Sequence, residues 1–388
     1  MSINAPALRW TAATPPRDRA TRALLVLLSL GGLGSNCCSC TPAPDFTVRR
    51  GPALSPAPAP PPVAGGLTIL HAGDFGMETC QQGAVASAIE EAQRRSPFDL
   101  ALFAGDNLYY CGPTAGAPGA EACQFAADNA TVATPPTGPP DPLFSSAFEG
   151  PLSGLAASPP LPRTLLILGN HDVMVSGDRC SDEGLGPDVA ARRKACLEVA
   201  HRSSLWEMPG RHWVLDQGPA RVIAIDTNVV TADYGGFTLD EEVAFVAGAA
   251  EGCDTRTCFI VGHAPPATAA LHWQDPPADR ADRMRRLIDA AGPHLRGWLA
   301  GHEHDLQHVR TPAGLDVLVS GAGCFSDFDK HYGNPSPGAE VLFASASWGY
   351  GILTIGDTGW QYRFEDHRGR ALYCCAAAAG RCLPTGCR

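Results

Sequence analysis

The chain has 388 residues, a hydrophobic fraction of 45% and a formal net charge of −11. That length can bury one large domain or two modest ones, and the composition is ordinary for a soluble protein. The negative balance excludes a general nucleic-acid binder, whose surface must be cationic to attract phosphate backbones.

The first forty residues read as targeting. Arg17, Arg19 and Arg22 precede the apolar stretch "ALLVLLSLGGLG" at 23–34, the length of a secretory signal core. A signal peptide over 1–36 is expected, with Cys37 of "SNCCSC" as an alternative lipidation point after cleavage. Asn36 is a poor fit to the small residue such a site prefers. No later apolar run is long enough to span a bilayer, so the only membrane link expected is a lipid on Cys37. Residues 37–66 are rich in Pro and Ala and read as an extended spacer. The folded domain is expected over 67–365, followed by a cysteine-rich tail over 366–388.

Within that domain one unit recurs. "LTILHAGDFG" is an apolar strand ending in Gly73-Asp74, followed by the helical pattern "GAVASAIEEAQRR". "DLALFAGDNLYY" ends in Gly105-Asp106, "RTLLILGNHD" in Gly169-Asn170-His171-Asp172, and "ARVIAIDTN" at Asp226. Thr238 and Glu241 have capping-box spacing, so a helix starts at "TLDEEVAFVAGAA". "TCFIVGHAPP" and "RGWLAGHEH" then end in Gly262-His263 and Gly301-His302. Continuous apolar runs alternating with helical patterns indicate strands buried on both faces. In open α/β sheets ligands bind beyond the carboxyl ends of the strands, and here at least five such ends carry Asp, Asn or His. One such end is chance; five imply a shared site.

Twelve of the 15 cysteines fall between Cys80 and Cys387 with no CxxC pair among them, which favours disulfides over a zinc ribbon. An exported, oxidising location follows. "CDTRTC" at 253–258 reads as a small closed loop, and Cys374, Cys375, Cys382 and Cys387 as staples of the tail.

Asp, Asn, His and Tyr donors suit iron, zinc or manganese. They outnumber the ligands one ion accepts, and two ions about 3.5–4 Å apart would use them in phosphoryl hydrolysis, holding a hydroxide for in-line attack.

"GDFG", "GDNLYY", "GNHD", "VGHAPP" and "GHEHDLQ" resemble, in order, the five-block signature of the calcineurin-like metallophosphoesterases. Among these the chain is similar to the purple acid phosphatases of the small tartrate-resistant type, because Tyr109 stands three residues after Asp106. The resemblance covers roughly 67–365; the cysteine-rich insertion 111–123 and the cysteine-rich C-terminus depart from it. It implies a four-layer α/β sandwich of two mixed β-sheets flanked by helices, and a binuclear acid phosphatase acting on phosphate monoesters of small molecules or phosphoproteins. It also implies that Asp74, Tyr109 and His304 hold Fe(3+), that Asn170, His263 and His302 hold a divalent Fe, Zn or Mn, and that Asp106 bridges them. His171 would protonate the leaving group and His272 would meet substrate. Alternatives within the superfamily are a phosphodiesterase or nucleotide hydrolase; outside it, a non-catalytic iron-binding protein.

The remaining polar residues have plainer readings. Asp172 is expected to orient an imidazole from behind. His308 is expected as a solvated strand residue, Tyr110 as packing and His71 as a satisfied buried histidine. Cys111 and Cys324 are not expected to bind metal beside so many O and N donors. "NAT" at 129–131 fits a glycosylation acceptor pattern.

Overall fold

Leu100–Phe103 carries four apolar side chains in a row because both of its faces are covered. Leu100 and Leu102 pack into one hydrophobic layer, and Ala101 and Phe103 into the other. The computed structural model describes residues 47–48, 66–177, 179–180, 184–270, 272–326, 335–377 and 380–387. The expected signal segment and Cys37 lie outside these residues.

In chain order, β1 is Thr47–Val48, β2 Leu67–Ala72, α1 Cys80–Arg95, β3 Leu100–Phe103, β4 Gln124–Phe125, β5 Val132–Thr134, α2 Ser153–Ala156, β6 Arg163–Leu166 and α3 Pro187–Ala200. Next come β7 Trp213–Gln217, β8 Ala220–Ile225, α4 Asn228–Thr231, α5 Leu239–Ala250, β9 Thr257–Gly262, α6 Arg280–Ala291 and β10 Leu295–Ala300. The last strands are β11 Leu306–Arg310, β12 Asp316–Ser320, β13 Glu340–Ser345, β14 Gly349–Gly356, β15 Gly359–Asp366, β16 Ala371–Ala377 and β17 Leu383–Thr385.

Two mixed sheets result. One runs β17-β16-β15-β14-β2-β3-β6 and the other β1-β13-β11-β12-β10-β9-β8-β7, with β4 and β5 forming a separate ribbon. Ile69, Leu102, Leu353 and Trp360 of the first sheet meet Val222, Phe259, Leu299 and Leu318 of the second. Residues of opposite parity, such as Leu70 and Ile260, face helices instead, against Val85 and Ile89 of α1 or Val246 of α5 and Met284 of α6. The order is thus helices, sheet, sheet, helices. Fully burying a Leu, Ile or Phe contributes about 1.5–3 kcal/mol, so the two layers dominate the stability. The capping box at Thr238 and Glu241 forms as its spacing predicts.

His308 departs from expectation. It is buried rather than solvated, because β11 lies between β12 and β13 and turns this side chain toward the other sheet. There Nδ1 hydrogen-bonds the Tyr373 hydroxyl at 2.8 Å and Nε2 meets Asp316 at 3.1 Å. His71 is buried beside the Tyr362 hydroxyl, 2.7 Å from Nδ1, and burial pulls its pKa down to about 3.

The disulfides Cys253–Cys258, Cys374–Cys387 and Cys375–Cys382 close the loop and the tail as expected. The last two fasten β16 to the segment around β17, at one edge of the first sheet. Cys111–Cys180 and Cys123–Cys196 tie the insertion to the region of α3 across separations of 69 and 73 residues. Closing loops that long is worth up to about 4 kcal/mol in chain entropy. Not every cysteine between Cys80 and Cys387 is paired: Cys324 is free and buried. Burial and the nearby Asp74 and Asp106 carboxylates push its thiol pKa well up, which keeps it neutral and unreactive.

Candidate metal centre

β2, β3 and β6 run parallel in one sheet, and β9 and β10 run parallel in the other. The turns that follow them bring all seven expected ligands together. Asp74 and Asp106 each have φ 53° and His302 has φ 70°, left-handed conformations that cost a non-glycine residue on the order of 1–3 kcal/mol. Packing holds them there. A Cβ on Gly169 would lie 2.2 Å from the Asp106 nitrogen, and one on Gly301 2.4 Å from Asp74 Oδ2. Only glycines let these turns close on each other.

The ligands form two groups that meet at Asp106. The Tyr109 hydroxyl lies within hydrogen-bonding reach of Asp74 Oδ1 at 3.0 Å and Asp106 Oδ2 at 2.9 Å, and 3.3 Å from His304 Nε2. On the other side, Asn170 Oδ1 lies 3.0 Å from His263 Nε2 and 2.9 Å from His302 Nδ1. The remaining Asp106 oxygen, Oδ1, is 3.3 Å from His263 Nε2. The two oxygens of Asp106 therefore serve different groups.

The donor chemistry fits cations. Nδ1 of His263 lies 2.7 Å from the Ala104 carbonyl, the geometry of a ring N–H donor, which leaves Nε2 to face the Asn170 oxygen. A lone pair against a carbonyl oxygen is repulsive unless a proton or a metal ion stands between them. Asp74, Asp106 and His263 are buried, and their ligand atoms lie within 4.8 Å of one another. Burial opposes a charge on His263, yet Asp106 and Asp74 overcome it and push its pKa up to about 9. Burial lifts Asp74 to about 6. Burial likewise would raise Asp106, but His263 and His171 outweigh it and hold Asp106 well below the usual carboxylate range. Burial, then Asp106 and Asp74, keeps the Tyr109 phenol neutral in the metal-free protein.

His171 and His272 flank this centre. The His171 backbone N–H donates to Asp106 Oδ1 at 2.8 Å, while its ring Nδ1 lies 2.7 Å from the Tyr110 carbonyl. Nε2 is the ring atom left to meet a ligand. The His272 ring centroid is 4.8 Å from that of His302, and its Nδ1 lies 3.0 Å from Glu303 Oε2. Burial lowers the His272 pKa, but Glu303 prevails and raises it to about 9.

Residues 67–306 match the calcineurin-like phosphoesterase family, well over half of the chain. The chain belongs to that family. A curated relative, "Tartrate-resistant acid phosphatase type 5" of Rattus norvegicus, is 26% identical over 119 residues, which span 30% of this chain and 35% of the relative. The match thus reaches only about a third of that relative's length. Among solved structures, "purple acid phosphatase PPD1 isolated from yellow lupin (Lupinus luteus) seeds" superposes with TM-score 0.52 at 14% identity, over 81% of this chain and 54% of that one. "GAP50 the anchor in the inner membrane complex of Plasmodium" superposes with TM-score 0.56 at 14% identity, over 81% and 89%. These two likenesses establish the fold.

In this calcineurin-like phosphoesterase one plainer reading is corrected. Among the described residues Asp172 bonds no imidazole: it accepts from the backbone N–H groups of Asn107, Leu108 and Gly169 at 2.8, 2.9 and 2.7 Å, and so fixes the two turns that carry Asp106 and Asn170. Tyr110 packs edge-on against the Tyr109 and His171 rings, with centroids 5.7 and 6.0 Å away, while remaining 39% exposed at the rim with the Arg179 guanidinium 4.0 Å from its ring centroid. The Asn129 amide of the glycosylation pattern donates to Glu241 at 3.1 Å and accepts from Arg192 at 2.9 Å. Cys111 is in a disulfide and so is no ligand. Sequence reasoning missed Glu303, Asp275 and Phe325. Glu303 stood in plain view between His302 and His304, and Asp275 one helical turn after His272. Phe325, whose ring centroid is 4.0 Å from that of His304, gave no signal beyond an aromatic in a loop.

Metal loading is expected to release protons, because a ligand nitrogen or oxygen must lose its proton first. His263 is protonated below about 9 and gives up that proton throughout the neutral range. Asp74 is ionised above about 6 and protonated below it, so it adds a second proton only in acid. Calorimetry of Zn²⁺ loading in buffers of different ionisation heat should therefore find about one more proton released near pH 5 than near pH 7.5. Affinity should fall more steeply below about 6. A proton count that does not change over that span would remove Asp74 from the ligand set.

Proposed function

We propose that this phosphoesterase is an exported, binuclear-metal acid phosphatase that hydrolyses phosphate monoesters of small molecules or phosphoproteins. The contact that carries the reading is Tyr109, whose hydroxyl touches both Asp74 and Asp106. A tyrosine there suits a hard trivalent ion. In this reading Asp74, Tyr109 and His304 hold Fe(3+), Asn170, His263 and His302 hold Fe, Zn or Mn in the divalent state, and Asp106 is shared. Such a pair supplies a nucleophile from water in mild acid and polarises the phosphate oxygens.

The chain's own residues do the rest. His272, made cationic by Glu303, attracts the phosphate dianion. His171, whose Nδ1 is held by the Tyr110 carbonyl, has Nε2 left to deliver a proton to the leaving oxygen. The disulfides support an oxidising compartment, and among the described residues no helix is long and apolar enough to cross a membrane. A lipid on Cys37 remains the proposed tether.

Metal analysis together with an aryl phosphate assay tests this directly: two metal equivalents, one of them iron, and hydrolysis that peaks below neutrality are expected. A phenolate on Fe(3+) absorbs visible light by charge transfer, so the protein should be violet to pink, and Tyr109→Phe should bleach it. A colourless, iron-free protein with an alkaline optimum would show that another metal pair is used. Turnover of diesters but not monoesters would favour the phosphodiesterase alternative.

A further inference from the structure

A cavity of about 820 Å³ opens beside the His263 and His302 half of the centre, within the range of small-molecule sites. Its wall is largely apolar, with Pro266, Trp273, Met284, Ile288 and Pro312. Asp275 also lines it, and the Asp275 carboxylate lies 3.5 Å from His302 Nε2. Cavity and centre therefore share a wall.

One charged residue in this lining is buried. Arg280, the first residue of α6, is 6% exposed and borders the cavity. A guanidinium presents five N–H donors, and those of Arg280 are not sealed from solvent but border the cavity. Among the described residues its side chain forms no hydrogen bond or ion pair; Asp275 and Glu303 act on it only through space. Both of those carboxylates are turned toward imidazoles, Glu303 toward His272 and Asp275 toward His302. Arg285 also lines the cavity, but it pairs with Asp282 at 2.9 Å on the exposed side of α6. Arg280 is left with its donors bordering a largely apolar chamber.

We propose that this cavity is the leaving-group subsite of the phosphatase centre, taking esters whose leaving group joins an apolar ring system to an anionic group that pairs with Arg280. The proposal rests on the phosphatase reading for turnover, but the cavity should bind the phosphate-free alcohol as well. A charge-assisted pair in a largely apolar site is worth tenfold or more in affinity, roughly the contribution of a hydrogen bond to a charged group.

The test compares 6-hydroxy-2-naphthoate with 2-naphthol by calorimetry on the metal-loaded protein, and the corresponding phosphate esters by kcat/KM. The carboxylated compound is expected to bind about tenfold more tightly, and its ester to be preferred by a similar factor. Arg280→Gln should abolish that preference. Ala281→Trp, at an exposed position on the cavity wall, should weaken both alcohols without removing the preference. Binding of neither alcohol, or an undiminished preference in Arg280→Gln, would overturn the subsite. The expected binding pattern without hydrolysis of either ester would leave the subsite standing and sink the phosphatase reading instead.

Discussion

Asp106→Ala is expected to strip the protein of most of its metal and to lower phosphate-ester hydrolysis at least about 10³-fold. The size follows from what the residue does: metal-supplied charge stabilisation is worth several kcal/mol, and each 1.36 kcal/mol is a factor of ten. Asp106 Oδ2 meets the Tyr109 hydroxyl and Oδ1 lies near His263, so its loss opens both halves at once. Asn170 contacts only the half formed with His263 and His302, and Asn170→Ala should lose less metal. The fold should survive, since Asp172 holds the backbone of both turns independently. Metal content by plasma emission on folded protein decides the matter. Full loading of Asp106→Ala would end the two-ion arrangement with Asp106 as its shared ligand.

Much of this centre could be read from the sequence because its residues sit at punctuated strand ends. A Gly followed by Asp or His after an apolar run marks the point where a buried strand reaches the sheet's edge, and β2, β3, β9 and β10 all obey it. The same logic explains the two-faced burial of β3 and the helix at Thr238. What was illegible depends on long-range partners. His308 looks solvated from its polar neighbours, and only the packing of β16 against β11's face buries it against Tyr373. The role of Asp172 is set by three backbone donors from two different turns, which no local spacing encodes. Arg280 looks like any basic residue at a helix start; its burial depends on loops far away in the chain.

The fold by itself does not decide between catalysis and passive roles. The Plasmodium inner-membrane-complex anchor and the lupin purple acid phosphatase superpose on this chain about equally well. The choice must be made at the site. A metal-holding scaffold has no need for an imidazole such as His272, half-buried and held by Glu303 beside the ligands, or for His171 on the Tyr109 side.

The identity of the general acid gives a second large effect. His171→Asn is expected to slow hydrolysis of alkyl phosphates by roughly 10²–10⁴-fold, the usual worth of general-acid help, and nitrophenyl phosphate far less. An alkoxide is a poor leaving group and must be protonated as the bond breaks, whereas nitrophenolate is already stable. The geometry makes the variant clean. Asp106 is held by the backbone N–H of residue 171, not by its ring, so the substitution leaves that 2.8 Å bond in place. The ring's own anchor is the Tyr110 carbonyl at Nδ1, which leaves Nε2 available to a substrate. Metal content should therefore be unchanged. His272→Asn should show a weaker version of the same substrate dependence, or a raised KM, because Glu303 ties its Nδ1 and suits it to binding phosphate. If His171→Asn instead lost metal and slowed both substrates equally, the ring would be holding the centre together and the proton would come from another group, with His272 the next to test.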